Sequence, residues 1–212
     1  LDTAYFINLY REYLNEKGIF INERFDYSSI EITSNGINYK GVSAKTIVFC
    51  EGFGVLQNPF FNYLPLNGTK GELITIHAPD LKLNQIIKSA VFVIPLGHDL
   101  YSVGSTYAWD DKTGLPTAGA REELESKLKR FITCDYKVVK HVAGIRPTVK
   151  DRRPLVGQHP KHEHLYILNG LGTRGVLIGP YVALHLFNAI YKNSPLESEL
   201  SIDRFSALYQ DL

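Results

Sequence analysis

Residues Val142 to Pro180, VAGIRPTVKDRRPLVGQHPKHEHLYILNGLGTRGVLIGP, decide the fold of this 212-residue chain. A strand-like run ends at Gly144-Ile145-Arg146-Pro147, and a polar turn follows it. A second short strand, Leu165 to Leu168, leads into the hexapeptide GLGTRG at residues 170–175 and then into a long apolar helix. A glycine-rich turn between a strand and a helix presents free backbone N–H groups and a positive helix end. The segment therefore suits an anion or a polarised ring.

The hexapeptide Gly170–Gly175 reads GxGxxG, which is also the fingerprint of dinucleotide-binding folds. That fold requires a second strand after the helix, with an acidic residue about 20 positions further on. Here the helix is predicted to end near Asn193, and Ser194-Pro195-Leu196-Glu197 follows without a β-branched strand. Two alternatives remain: a turn that approaches a ligand, and a turn that serves only close helix–strand packing.

Periodicity in the rest of the chain predicts a mixed α+β fold with a largely antiparallel sheet and flanking helices. Asn35-Gly36 predicts a hairpin turn, and the nearly continuous apolar run Lys45–Cys50 predicts a strand buried on both faces. The predicted strands cover residues 19–22, 29–33, 37–39, 45–50, 72–77, 86–95, 100–107, 136–149 and 165–168, and the predicted helices cover residues 2–17, 121–132 and 175–193.

Composition is typical of a soluble folded protein, with 44% hydrophobic and 21% charged residues. A net charge of +1 argues against a strong electrostatic attraction to nucleic acid or anionic lipid. The longest apolar segment, Val176 to Tyr191, contains His185 and Asn188 and is too short to span a membrane. Cys50 and Cys134 lie far apart without CxxC spacing, so we expect a reducing, cytoplasmic location.

Two polar clusters have ordinary surface interpretations. Lys150-Asp151-Arg152-Arg153 is typical of a solvated turn. His159, His162 and His164 are closely spaced and could hold zinc, but only Glu163 lies beside them as a further ligand. The sequence therefore favours a polar surface loop here, and no metal site is predicted.

Arg146 lies within an apolar strand, between Ile145 and Pro147. A guanidinium group in such a position is normally paired. One alternative is a structural ion pair with Glu51 or Glu72. The other is a planar fork that binds a substrate carboxylate through two parallel hydrogen bonds.

The runs GIRPxxxDxxPLVG at residues 144–157 and LYILNGxGxxGxxxxP at residues 165–180 resemble the C-terminal signature of the FAD-dependent D-amino-acid oxidase / glycine oxidase superfamily. Shorter pieces resemble that family in the same order: Ile47–Gly52, Leu64-Pro65 with Lys70-Gly71-Glu72, Tyr101–Tyr107 and Arg204-Phe205. The resemblance covers nearly the whole chain, but the N-terminal half with the ADP-binding fold has no counterpart. The chain resembles the C-terminal portion of a longer flavoprotein.

The resemblance implies three segments: residues 1–54 as the return segment between the FAD-binding and substrate domains, residues 55–142 as the substrate domain with its antiparallel sheet and helix, and residues 143–212 as the C-terminal strand, glycine turn and helix that contact FAD. It also implies a partner, the N-terminal FAD-binding half of the same protein. The FAD would be bound without a covalent link, since no cysteine lies between Arg146 and Asp151.

The same resemblance implies a site. Arg146 would anchor the substrate carboxylate, and Tyr107 and Arg174 would also bind substrate. Tyr107 and Trp109 follow the Gly104-Ser105-Thr106 strand and are expected to form pocket walls, with core packing as the alternative for each. No catalytic residue is predicted, because hydride loss to a flavin needs orientation and a deprotonated amine more than a strong base. The residues that would contact the flavin are Gly144, Leu171, Gly172, Thr173, Arg174, Gly175, Val176 and Leu177.

Three functions follow as alternatives. The first is oxidation of an amine or amino acid. The second is the oxidase half of a tRNA wobble-uridine methylaminomethyl enzyme, which the form GLGxRG resembles and which would make tRNA a partner. The third is a structural or dimerisation fragment without flavin. With its sheet neighbours missing, the strands Lys45–Cys50 and Leu165–Leu168 are expected to leave apolar surface open to self-association.

Overall fold

Three β-sheets and four α-helices make up residues 2–210, the part of the chain that the computed structural model describes. The helices are α1 (Thr3–Glu16), α2 (Ala118–Leu128), α3 (Gly175–Lys192) and α4 (Ser206–Gln210). The strands are β1 (Ile30–Thr33), β2 (Gly36–Tyr39), β3 (Val42–Ala44), β4 (Ile47–Phe49), β5 (Leu66–His77), β6 (Ile87–Lys88), β7 (Phe92–Gly97), β8 (Leu100–Gly104), β9 (Lys137–Val149), β10 (Leu155–Gln158) and β11 (Leu165–Asn169). This is the mixed, largely antiparallel α+β architecture that the sequence predicts.

The largest sheet has the strand order β6-β7-β8-β5-β9 and is antiparallel throughout. Its two longest strands, β5 and β9, pair from Leu66 opposite Val149 to His77 opposite Lys137. Side chains alternate between the two faces of a strand. Ile74 and Ile76 of β5 therefore enter a buried cluster with Leu124 of α2. The opposite face of the same strand pair is free to build a site.

A second sheet, β10-β11-β4, contains the parallel pair β11–β4 beside the antiparallel pair β10–β11. Leu165 and Ile167 of β11 are fully buried in a cluster that also holds Phe49 and Val149. This cluster joins the second sheet to the end of the β5–β9 pair. The third sheet is the meander β1-β2-β3. It begins with the predicted hairpin, but the two turn residues are Ser34-Asn35 rather than Asn35-Gly36, because Gly36 pairs with Thr33.

The helix at the start of the chain, the long strand β9, the strand β11 and the helix after the glycine turn are confirmed. Helix α1 begins as predicted, with Asp2 accepting a hydrogen bond from the Tyr5 N–H at 3.0 Å. Helix α2 begins earlier than predicted, at Ala118 rather than Arg121, because Thr117 caps it. The strands β3 and β10 are additional elements that the sequence pattern did not indicate.

Some sequence-based predictions are wrong. Residues 19–22 form no strand, and Ile19 and Ile21 are exposed. The predicted strand at residues 86–95 is two strands, because the Ser89 N–H bonds back to the Val91 carbonyl and turns the chain. The predicted strand at residues 100–107 ends at Gly104, where the chain leaves its pairing with β7.

The prediction that Lys45–Cys50 is buried on both faces is also wrong. Only Phe49 of this run is buried, whereas Val48 is 37% exposed. Strand β4 is an edge strand whose second edge has no partner strand among residues 2–210. Strand β11 does not leave the open apolar surface that was expected, since Leu165 and Ile167 face the core.

Further open apolar surface lies on two helices. Helix α1 has no buried residue, and α3 buries only Val182 and Leu186. The exposed large side chains of the two helices are Tyr5, Phe6, Ile7, Leu9, Tyr10 and Tyr13 on α1, and Val176, Leu177, Tyr181, Leu184, Phe187 and Tyr191 on α3. Among the described residues, no helix has the length and apolarity that a membrane crossing requires.

The burial of β5 against α2 generates a stability prediction. Ile74 is fully buried, so Ile74→Ala should lower the free energy of unfolding by about 2–5 kcal/mol. Val139 on the neighbouring strand β9 is exposed, so Val139→Ala should change it by no more than about 0.5 kcal/mol. Urea denaturation of both variants measures the difference, and equal losses would contradict this packing.

Candidate functional site

The β5–β9 strand pair positions Arg146, which lies directly opposite Thr69. The Arg146 Nη2 donates a hydrogen bond to Ser105 Oγ at 2.8 Å, and Nη1 makes a longer contact of 3.4 Å to the Thr106 carbonyl oxygen. The guanidinium carbon lies 4.5 Å from the centroid of the Tyr107 ring, within the range of a cation–π contact. Burial lowers the pKa of Arg146 from its ordinary value, but a guanidinium stays protonated in proteins.

Gly71 makes this position of Arg146 possible. The guanidinium group reaches across β5 toward Ser105, directly over the Gly71 backbone. A Cβ atom added at Gly71 would overlap Nη1, Nη2 and Cζ of Arg146. Gly144 lies opposite Gly71 on β9, and a Cβ atom there would meet nothing within 4 Å. Only one of these paired glycines is therefore required for the close approach.

A cavity of about 770 Å³ lies on this face of the sheet. The exposed rings of Tyr107 and Trp109 form part of its wall, and the Gly170–Arg174 turn forms another part. Its other lining residues are Pro65, Leu66, Asn67, Thr69, Thr148, Val149, Lys150 and Arg152. The charged side chains in this lining are all cationic, namely Lys150, Arg152 and Arg174. The cavity therefore favours a ligand with negative charge.

The glycine turn presents unpaired backbone donors beside the cavity. Gly170 and Gly172 both have positive φ angles, of 70° and 57°, which glycine adopts without the steric cost of a side chain. The Gly172 N–H bonds to the Pro147 carbonyl at 3.1 Å and ties the turn to β9. Helix α3 begins just after, at Gly175, and its N-cap residue makes no side-chain capping bond. Within residues 2–210, no hydrogen-bond acceptor is found for the backbone N–H groups of Thr173, Gly175 and Val176.

Sequence comparison identifies the family. The sequence model of the DAO family, described as FAD dependent oxidoreductase, matches residues 1–189. The chain belongs to this family. The matched range contains Arg146, the cavity wall and the glycine turn.

Two curated relatives illustrate the similarity of this DAO-family chain. Glycine oxidase of Bacillus subtilis (strain 168) is 28% identical over 134 residues, which are 60% of this chain and 36% of that protein. The tRNA 5-methylaminomethyl-2-thiouridine biosynthesis bifunctional protein MnmC of Aromatoleum aromaticum (strain DSM 19018 / LMG 30748 / EbN1) is 30% identical over 182 residues, which are 74% of this chain and 28% of that protein. The chain thus corresponds to less than half the length of these relatives.

Solved structures share the fold at low identity. Glycine oxidase from Geobacillus kaustophilus superimposes with a TM-score of 0.64 at 22% identity, over 84% of this chain and 50% of that one. Iminodiacetate oxidase from Chelativorans sp. BNC1 gives a TM-score of 0.62 at 21% identity, over 82% of this chain and 52% of that one. The chain therefore has the fold of about half of such a flavoprotein.

FAD is the cofactor of the DAO family, and the turn fits a flavin ring. A flavin pyrimidine carries hydrogen-bond acceptors, and the unpaired N–H groups of Thr173, Gly175 and Val176 are matching donors at a positive helix end. The bare backbone of Gly172 leaves room for close approach, since a Cβ atom there would meet only Thr148 Cγ2, at 3.8 Å.

The ion-pair interpretation of Arg146 is wrong. No acidic side chain among residues 2–210 lies within ion-pairing distance of its guanidinium. Glu72 lies 3.3 Å from Lys70 instead. Glu51 accepts hydrogen bonds from Tyr27 and from Asn58, the latter at 2.8 Å.

The four residues of the polar turn 150–153 are exposed, as predicted, but they also make specific contacts. Asp151 pairs with Arg204 at 2.9 Å, and Arg153 pairs with Glu199 at 2.8 Å. Lys150 and Arg152 line the cavity, where the Arg152 carbonyl accepts a hydrogen bond from Arg174 Nη2 at 2.9 Å. The turn therefore supplies two of the cavity's cationic groups.

The loop that carries the histidine cluster is largely exposed, as predicted, but His159 itself is buried. Among the described residues, no group of histidine, cysteine and acidic side chains is arranged for a metal ion. His159 Nδ1 accepts hydrogen bonds from the backbone N–H groups of Lys161 and His162, both at 3.1 Å. The His159 ring packs edge-on against Phe61, and burial lowers its pKa to about 4. It is therefore neutral at physiological pH.

The fold brings together some of the predicted site residues and separates others. Those that line the cavity are Tyr107, Trp109, Leu171, Gly172, Thr173 and Arg174. Arg146 lies beside this group, in contact with Tyr107. The remaining predicted flavin contacts lie outside the lining: Gly144, Gly175, Val176 and Leu177.

Sequence reasoning missed several residues that build the site. Gly71, Ser105 and Thr106 contact or accommodate the Arg146 guanidinium, and Lys150 and Arg152 contribute charge to the cavity. The signal for Gly71 was present in the Lys70-Gly71-Glu72 motif, but nothing in the sequence indicates that Arg146 crosses the strand at that glycine.

The crossing of β5 by Arg146 generates the second prediction. Gly71→Ala should displace the guanidinium, because the new Cβ atom takes its place, at a cost of about 1–3 kcal/mol for an overpacked site. The Arg146 Nε–H resonance in NMR spectra should lose the ring-current shift from Tyr107. Gly144→Ala is the matched control and should retain that shift. An unchanged Arg146 resonance in Gly71→Ala would refute the role given to Gly71.

Proposed function

We propose that this chain is the substrate-binding and C-terminal part of an FAD-dependent enzyme that oxidises the C–N bond of an amine or amino acid bearing a carboxylate. The single observation that carries this proposal is the Arg146 guanidinium. It lies beside a cavity whose charged lining is cationic and has no acidic partner among residues 2–210. Membership of the DAO family supports the oxidoreductase class.

Arg146 is the proposed carboxylate anchor. Its guanidinium has more N–H donors than the contacts to Ser105 and Thr106 use. A carboxylate can accept two parallel hydrogen bonds from such a fork. Tyr107 packs on the guanidinium and fixes its plane, so the bound carboxylate would hold the α-carbon in one orientation. Arg174, which lines the cavity, is the second proposed substrate contact.

The flavin ring would rest on the glycine turn. The residues proposed to hold it are Gly144, Leu171, Gly172, Thr173, Arg174, Gly175, Val176 and Leu177. When bound, FAD supplies the acceptor for the hydride that leaves the substrate. The N-terminus of α3 favours negative charge near it by about 0.3–2 kcal/mol, and the free N–H groups add hydrogen bonds. Orientation of the substrate by Arg146 is the chain's main contribution, and no side chain is assigned as a general base.

The proposed partner for the exposed helices is an N-terminal FAD-binding half of the same protein. Helices α1 and α3 expose twelve large apolar side chains between them, and such surface normally belongs to an interface. The chain spans 36% of the glycine oxidase of Bacillus subtilis, which leaves length for such a half. Without that half, the same surface would promote self-association. Within this proposal residues 1–54 return from the FAD-binding half, residues 55–142 form the substrate domain and residues 143–212 contact FAD.

A second candidate is the oxidase half of a tRNA-modifying enzyme. The Thr173-Arg174 pair in the glycine turn favours it, together with the cationic lining that Lys150, Arg152 and Arg174 provide. Similarity to the bifunctional protein MnmC supports it as well. Its substrate would be a carboxymethylamino group on tRNA, whose carboxylate Arg146 could bind equally. Oxidation of modified tRNA but not of free glycine or sarcosine would favour this candidate.

The third alternative, a structural or dimerisation fragment without flavin, predicts a full-length protein without flavin absorbance.

The free thiols of Cys50 and Cys134 are consistent with the reducing cytoplasm in which we place the enzyme.

The carboxylate anchor generates the third prediction. In the full-length protein, Arg146→Ala should lower kcat/KM for carboxylated amines by about two to three decades, the loss expected for a bidentate charged contact. Flavin absorbance should remain, because Arg146 does not hold the cofactor. The control is Arg130→Ala, whose side chain is exposed at the end of α2 and should leave kinetics unchanged. Unchanged kinetics of Arg146→Ala on every carboxylated amine that the wild type oxidises would refute the assignment of Arg146 as the carboxylate anchor.

The fourth prediction concerns FAD binding by the 212 residues alone. In dinucleotide-binding folds the ADP half of the cofactor is held by a strand–glycine turn–helix unit, and this sequence offers no such unit for it. Contacts to the flavin ring alone are too few to offset the entropy of immobilising a large cofactor. Calorimetric titration should therefore give a dissociation constant weaker than about 1 μM, or about −8 kcal/mol. Sub-micromolar binding would mean that the ADP half is held by residues within this chain.

A further inference from the structure

A buried cluster of charges lies on the opposite face of β5 from Arg146. Lys70 is 1% exposed and Glu72 is 2% exposed, and charged groups in such positions are costly unless they are paired. Lys70 Nζ lies 2.5 Å from Asp111 Oδ2, 3.3 Å from Glu72 Oε1 and 3.4 Å from Thr113 Oγ1. His141 Nε2 lies 2.8 Å from Glu72 Oε2, outside the direction of a hydrogen bond. The role proposed for Arg146 does not use this cluster.

Most partners of the cluster belong to one segment, Ser105–Thr117, which we call the wall loop. The wall loop follows β8 and runs beside β5, where Lys70 and Ala108 exchange two backbone hydrogen bonds of 2.9 Å. At its end, Glu72 accepts hydrogen bonds from the Thr117 N–H at 2.9 Å and from the Thr117 hydroxyl at 3.0 Å. The wall loop is thus held against β5 by side chains that are almost completely buried.

The same loop carries the aromatic wall of the cavity. Ala108 pairs with Lys70, so the residues on either side of it, Tyr107 and Trp109, point to the other face of the sheet. Both rings line the cavity, and both are more than half exposed. Tyr107 contacts the Arg146 guanidinium on this side, and Lys112 of the same loop donates hydrogen bonds to Asn67 Oδ1 at 2.8 Å and to the Gly68 carbonyl. The positions of the two rings therefore also depend on the contacts that hold the wall loop on the opposite face of β5.

We propose that Lys70 is a positioning residue for this site: its ammonium group fixes Asp111 and Thr113, and thereby sets where Tyr107 and Trp109 stand beside Arg146. The inference rests on the proposed function only in treating the cavity as the substrate site. Both carboxylate oxygens of Asp111 are bound: Oδ2 accepts a hydrogen bond from Lys70, and Oδ1 accepts one from the Thr113 N–H at 2.7 Å.

Lys70 and Asp111 are both ionised at neutral pH. The hydrogen bond from Lys70, followed by those from Thr113, lowers the pKa of Asp111 to about 2. The hydrogen bond to Asp111 raises the pKa of Lys70 above its ordinary value. Both groups are charged across the range in which an oxidase is assayed, so a neutral substitution removes the contact under all of these conditions.

The test compares two neighbouring carboxylates. Asp111→Asn removes the charge that Lys70 binds, at a side chain that is about one-third exposed and can be replaced without leaving a cavity. Asp110→Asn removes the same charge one residue away, where the side chain is exposed and has no ion pair among the described residues. The readout is fluorine NMR of the full-length protein labelled with 5-fluorotryptophan. Trp109 is the only tryptophan of this chain, and Trp109→Phe assigns its resonance.

We expect Asp111→Asn to shift and broaden the Trp109 resonance and to raise KM for the carboxylated amine by up to about tenfold, the effect of one charge-assisted hydrogen bond. The kcat should change less, because the substrate carboxylate remains anchored once bound. Asp110→Asn should alter neither quantity to this extent. In a Lys70→Met background, adding Asp111→Asn should have no further effect on Trp109, because the partner is already absent.

Two results would overturn the proposal. One is an equal response of Trp109 to Asp110→Asn and Asp111→Asn. The other is a fall in melting temperature of Asp111→Asn with an unchanged Trp109 resonance and an unchanged KM, which would make the contact purely structural. A Trp109 shift in a protein that oxidises no carboxylated amine would leave the role of Lys70 intact and refute the proposed function instead.

Discussion

The pairing of β5 with β9 is the constraint on which the rest of the structure depends. The ladder runs from Leu66 opposite Val149 to His77 opposite Lys137, and because side chains alternate, it serves two purposes at once. One face carries Ile74 and Ile76 into the core against α2. The other carries Arg146 to the cavity. A slip of one residue would exchange the faces, so the hydrophobic core fixes the register that presents the guanidinium.

The ladder also explains why Gly71 and Lys70, which are neighbours in sequence, act on opposite faces. Gly71 leaves the space across which the Arg146 side chain reaches Ser105. Lys70 points the other way and holds Asp111 of the wall loop. The positions of the aromatic wall and of the guanidinium thus both depend on adjacent residues of one strand, which is a rigid element. Sites supported in this way hold their geometry better than sites carried by loops alone.

Local patterns in the sequence were sufficient to predict individual elements of the site but not the contacts between them. The strand that contains Arg146, the glycine turn and helix α3 follow from periodicity and turn residues within short windows. The partners of Arg146 could not be predicted, because Ser105 and Gly71 lie about forty and seventy-five positions away and only the ladder register brings them close. The predicted burial of Lys45–Cys50 failed for a related reason: the burial of a strand depends on neighbours that its own sequence does not specify.

The partly buried guanidinium and the exposed apolar helices have a common interpretation. Arg146 gives up hydration for one hydroxyl contact, one long carbonyl contact and an aromatic ring, which is weak compensation for a charge. The exposed apolar side chains of α1 and α3 remain in contact with water, and their burial against another surface would be favourable. Under the proposed function, an anion would complete the first surface and further polypeptide the second. The positive cavity lining includes Tyr107, which contacts Arg146, and the glycine turn, which leads into α3. A ligand placed in the cavity would contact the wall loop, β9 and the glycine turn that precedes α3 together, so its binding would join the two sheets.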